Sequence, residues 1–167
     1  PELALQYGPE QGYGPLIDYI RHRLAAEERL DLERDSIMLT GGSAQAIDHL
    51  CTLFTMPGDI VLVETPTYHE TLQLFRDHHL CPQQVPTDDS GLQAEALARH
   101  LEALARRGER ARFLYTIPNY QNPSGITLTA ERRPGILAIA QRFDLLIVED
   151  DVYRDLAYEE SPPTSLF

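Results

Sequence analysis

Short apolar runs alternate with longer stretches of helical periodicity, and this alternation limits the possible folds more than any other feature of the chain. The run Ile60-Val61-Leu62-Val63-Glu64 is almost continuously apolar, as a strand buried on both faces must be. Similar runs at 36–40, 111–116 and 145–148 predict further strands, and 81–85 a weaker one. Between them, residues 15–30, 43–54, 68–78, 93–106 and 129–143 carry helical spacing, clearest where Leu97, Leu101 and Leu104 fall on one side. Ser43 is placed to cap the second of these helices, and Glu131 and Pro134 lie near the start of the last. Such a series predicts an α/β fold: a mainly parallel sheet with helices on both faces. In open sheets of this kind ligands bind beyond the carboxyl ends of the strands. The segments expected there are 41–45, 65–69, 118–125 and 150–153.

Composition narrows the function classes. The 167 residues suffice for one domain with a core, and the net charge of −12 disfavours contact with a phosphate backbone. No apolar run is long enough to span a bilayer. Cys51 and Cys81 show no metal-ligand spacing and are expected to be small core residues of a reducing compartment, the cytoplasm. All 14 basic residues are arginine; the chain has no lysine. It starts at Pro1 and stops at Phe167, soon after Ser161-Pro162-Pro163. The expectation is a single partial domain over 1–167, cut from a longer protein at both ends.

Four segments could carry chemistry. In Thr40-Gly41-Gly42-Ser43-Ala44-Gln45 two glycines precede a helix start, where free N–H groups and the helix dipole suit a phosphate; taken alone, the segment is better read as a plain capped turn. Tyr68, just past a strand, could stack on a flat ring or simply pack. Pro118-Asn119-Tyr120-Gln121-Asn122-Pro123-Ser124-Gly125 is turn-rich, with Asn122 biased by the following proline to hold its amide outward. Glu149-Asp150-Asp151 closes an apolar run, with Tyr153 just beyond. These acids could be solvated; a metal is not expected, because no histidine lies close in sequence. Alternatively, one of them could meet a cationic nitrogen while Tyr153 meets an adjacent oxygen. Of the histidines, His69 alone is expected near a ligand.

In this order, from Tyr7 to Tyr153, the segments resemble the pyridoxal-phosphate (PLP)-dependent class I/II aminotransferases of fold type I. The resemblance is most specific at Asn122-Pro123-Ser124-Gly125 and Asp150-x-x-Tyr153. The wording from Ile117 to Gly125 is similar to the 2-aminoadipate aminotransferase branch, with MocR-type regulators as cousins. The resemblance implies a cofactor, pyridoxal 5'-phosphate, and roles for its contacts. Gly42, Ser43, Ala44 and Gln45 would form the phosphate cup, and Tyr68 would stack on the pyridine ring. Asn122 and Tyr153 would bind the ring 3-oxygen, Asp150 the pyridine nitrogen, and Tyr7 the cofactor phosphate of a partner subunit in a homodimer. It also implies amino acid and 2-oxo acid substrates, and a Schiff-base lysine that lies outside these residues, so no catalytic residue is expected in the chain. Three other readings stay open: a carbon–sulfur lyase or decarboxylase of the same fold, a PLP-binding regulator, and a nucleotide-binding domain.

Overall fold

The computed structural model describes residues 6–158 and 162–167. The chain divides into two compact units, Pro1–Ala46 and Ile47–Phe167. In the first, α1 (Gly14–Glu27) begins with Pro15 in its first turn, where a missing N–H costs nothing. A single 3₁₀ turn, Arg34–Ser36, follows. Residues 36–40 were expected as a strand but form none: Ile37 is extended (φ −118°, ψ 128°), yet no partner strand makes a ladder with it among the described residues. Extended backbone becomes a strand only with a neighbour to hydrogen-bond. Here the Leu39 N–H instead donates to the Gln11 carbonyl at 2.8 Å. The adjacent Gly12 has φ +112°, and a Cβ on it would lie 2.6 Å from the Leu39 side chain, so this close approach requires glycine.

Helix α2 (Ser43–Phe54) leads into the second unit, which holds β1 (Ile60–Thr65), α3 (His69–Asp77), β2 (Cys81–Asp88), β3 (Gly91–Leu92), α4 (Ala94–Arg106), β4 (Ala111–Thr116), α5 (Arg133–Arg142) and β5 (Leu146–Glu149). The five strands form one sheet in the order β3-β2-β1-β4-β5. The pairs β1–β2, β1–β4 and β4–β5 are parallel, and the two-residue β3 is antiparallel to β2. The expected sheet and helices are therefore present. Helix α5 starts at Arg133, leaving Glu131 in the turn before it. That start fits Pro134, whose fixed φ and absent N–H suit the first turn rather than the interior.

Alternation along the strands sorts side chains onto two faces. On one, Leu62 and Leu114 pack with Leu97, Leu101 and Leu104 of α4 and Ile136 and Ala140 of α5. On the other, Val61, Val63, Phe113 and Tyr115 pack with Cys51, Phe75 and Ile117. Cys51 is buried as expected, but Cys81 is exposed. Cys81 opens β2, where a side chain at the strand's first residue escapes the helix cover. Among the described residues no helix is long and apolar enough to cross a membrane.

Candidate active site

The chain order sets where a site can form. From β1 the chain moves out to β2, then crosses back to lay β4 on the other side of β1. The carboxyl ends of β1 and β4 therefore flank a switch point, where the connections diverge and leave a crevice. Three expected segments leave the sheet there: Pro66–Tyr68 after β1, Pro118–Gly125 after β4, and Asp150–Tyr153 after β5.

The three acids at the end of β5 are not equivalent. Glu149 accepts the Leu166 N–H at 2.9 and 3.1 Å and lies 3.8 Å from Arg133. Asp151 is ion-paired with Arg154 and accepts the Asn119 amide at 2.7 Å. Asp150 has no ion pair among the described residues; its one side-chain partner is the Tyr115 hydroxyl, which donates at 2.7 Å. Burial pushes the Asp150 carboxyl up, Tyr115's hydrogen bond pulls it back, and the Asp151 charge pushes it up again. A half-buried carboxylate in this state gains from an incoming cation. The resemblance assigns the pyridine nitrogen to Asp150, and among the described residues the same carboxylate is left without a cation.

The Asn122 amide donates to the Tyr153 hydroxyl at 3.0 Å, so the two groups expected to share one ligand oxygen already meet. Tyr153 and Tyr68 both pack against the core face that contains Tyr115. The Tyr68 hydroxyl donates to Glu70, and this bond, with burial and the nearby Glu70, Tyr153 and Asp150, raises its pKa. His69 meets the Tyr68 ring edge-on, with centroids 5.3 Å apart. Tyr68, Asn122, Asp150 and Tyr153 are thus brought together. Their combination suits a flat heteroaromatic ring with a protonated nitrogen at Asp150 and an oxygen at Asn122 and Tyr153.

The other expected residues belong to the first unit. Gly42 has φ +94°, and a Cβ on it would meet only open space, so its backbone conformation alone favours glycine. The Gln45 side chain accepts the Gly41 N–H at 2.6 Å, and Gly42, Ser43, Ala44 and Gln45 are all exposed. Ser43 is the first residue of α2 and not the residue before it. Tyr7 is fully exposed.

Sequence reasoning missed four residues that build the site from below: Glu64, Tyr115, Gln121 and Arg133. Tyr115 was legible only as an apolar strand residue, yet its hydroxyl accepts from Thr71 at 3.2 Å and donates to Asp150. Arg133 is 4% exposed, and its guanidinium binds the Leu128 and Thr164 carbonyls and the Asn119 side chain.

Comparison with known proteins places these residues in a family. Residues 2–166 match the family Aminotransferase class I and II. The chain is 38% identical over 159 residues to aromatic-amino-acid aminotransferase 1 of Thermococcus litoralis, covering 95% of this chain and 38% of that protein. It is 37% identical over 166 residues to 2-aminoadipate transaminase of Thermus thermophilus, covering 99% and 39%. An HTH-type transcriptional regulator of Bacillus subtilis, YdfD, is 34% identical over 161 residues, covering 96% and 32%. Among solved structures, kynurenine aminotransferase of Pyrococcus horikoshii, in complex with PMP, superposes with a TM-score of 0.93 at 38% identity, covering 99% of this chain and 41% of that one. The chain spans about two fifths of the length of the aminotransferases it matches.

Proposed function

Because the chain belongs to the class I and II aminotransferases, we propose that it is the cofactor-binding part of a PLP-dependent enzyme that transaminates an amino acid with a 2-oxo acid. The observation that carries this reading is Asp150: of the three acids at the end of β5 it alone has no cation among the described residues, and both it and Tyr153, which accepts from Asn122, lie near Tyr68. Bound pyridoxal phosphate would supply an electron sink for bond cleavage at the α carbon of the amino acid.

The chain's own residues would hold and tune that group. Asp150 keeps a proton on the pyridine nitrogen, because an opposite charge favours the charged form. Asn122 and Tyr153 hold the ring oxygen, and Tyr68 covers one ring face. Gly42, Ser43, Ala44 and Gln45 cradle the phosphate through free N–H groups at the start of α2. Tyr7 reaches the phosphate site of a second copy, in a homodimer. The chain has no lysine, so the residue that bonds the cofactor and moves the substrate proton is assigned to sequence outside these 167 residues. The similarity to aromatic and 2-aminoadipate aminotransferases supports a substrate within that range.

Asn122→Ala in the full-length protein is expected to weaken PLP binding about tenfold, the loss of one well-placed hydrogen bond, read by titrating the apoprotein with cofactor. Unchanged affinity would count against the assignment. A second reading, a PLP-sensing regulator, is favoured by the similarity to YdfD. It requires a DNA-binding segment elsewhere in the protein, and PLP would then alter DNA binding instead of supporting turnover.

A further inference from the structure

The end of β1 buries a carboxylate for which the cofactor reading has no use. Glu64 is 2% exposed and has no ion pair among the described residues. It accepts the Thr116 hydroxyl at 2.7 Å, the Ile117 N–H at 3.1 Å and, more weakly, the Gln121 amide at 3.5 Å. Gln121, itself 4% exposed, donates to the Pro66 carbonyl at 2.7 Å. Its amide oxygen accepts the Ser124 N–H at 2.9 Å and the Ser124 hydroxyl at 2.7 Å. Gln121 thus lies between the segment leading to Tyr68 and the segment carrying Asn122. An acid buried among neutral donors costs more desolvation than an apolar side chain would. What it gives in return is orientation, since every donor must aim at one point.

We propose that Glu64 is a positioning residue: through Gln121 it locks the segments after β1 and β4 together and presents Tyr68 and Asn122 as one preformed surface for the cofactor ring. This rests on the reading of Tyr68 and Asn122 as ring-holding residues. The lock is pH-sensitive. Burial pushes Glu64 up to about 7, against the pull of Thr116, Ile117 and Gln121. Val85 of β2 lies opposite Glu64 in the sheet; the titratable group that feels its charge is Tyr115, on the other face of β4, whose hydroxyl donates to Asp150 at the end of β5. All three donors suit the ionised acid, so protonation loosens the lock as pH falls through about 7.

The test is a PLP titration of the full-length apoprotein, followed by the visible circular dichroism of the bound cofactor, from about pH 6 to about pH 8.5. Glu64→Gln is expected to weaken binding about tenfold above neutrality and to remove the part of the affinity loss that the native protein shows on acidification. Added to Asn122→Ala, it is expected to cause a smaller loss than in the native protein, because part of its effect passes through Asn122. Gln121→Ala keeps the carboxylate, carries the same tenfold expectation, and serves if Glu64→Gln does not fold. Native affinity and native pH dependence in these variants, with Asn122→Ala impaired, would overturn the proposal and leave the ring site standing. Native affinity in Asn122→Ala would bring down the ring site and this proposal together.

Discussion

Asp150→Asn is expected to cut turnover of the full-length protein by about a thousandfold, the scale of losing a preorganised electrostatic partner. The amide keeps the size of the carboxylate and can still accept from Tyr115, but it cannot hold a proton on a pyridine nitrogen. Stability should move the other way. Burial raises the Asp150 pKa. A raised acid favours folding below its unfolded value, and that advantage is lost as pH rises through the folded one. At neutral pH the ionised side chain is therefore a cost to the fold, and Asn removes it. The steady-state rate and the thermal midpoint, measured together, should show an inactive protein at least as stable as the native one. A variant that loses both would mean that Asp150 is structural.

Arg133→Ala is expected to do the reverse, with a loss of about 3 kcal/mol in stability, as when one partner of a buried charged network is removed. Its guanidinium ties α5 to the Leu128 carbonyl at 3.1 and 3.2 Å, to the Thr164 carbonyl at 2.7 Å and to Asn119 at 2.8 Å. Asn119 in turn holds Asp151, so the same network keeps Asp151 away from the role given to Asp150. Arg133→Lys is expected to recover only part of the loss, because an ammonium cannot reach these acceptors in a planar fork. Urea unfolding of the native protein and both variants checks this. A change in the Arg133→Ala midpoint within experimental error would contradict it.

Much of the architecture was legible because β1, β4 and α4 carry strong periodic patterns that tertiary context had no reason to override. Ala111–Thr116 and Ser43–Phe54 have the bounds expected of them. The segment 36–40 was not legible, since a strand depends on a neighbour that the local pattern does not specify. Nor was β3, whose two residues are too short to show alternation. At the site, the segments holding Tyr68, Asn122, Asp150 and Tyr153 were each ambiguous alone, and it was their order, through the family resemblance, that gave these residues roles. Glu64 and Tyr115 could not be picked out, since each sits within or at the end of an apolar strand and its polar atom matters through partners 35 to 57 residues away. Nothing in the local pattern sets Arg133 apart from other charged residues; its burial and its acceptors show what it holds.

The central claim is that these residues hold pyridoxal phosphate for a lysine lying elsewhere in the protein. The most direct test is borohydride reduction of the full-length protein loaded with PLP, followed by peptide mass spectrometry. The account predicts one phosphopyridoxyl-lysine in a peptide outside this 167-residue stretch, and its loss when PLP is withheld. A protein that takes up no PLP, or that has no lysine modified by it, would contradict the account.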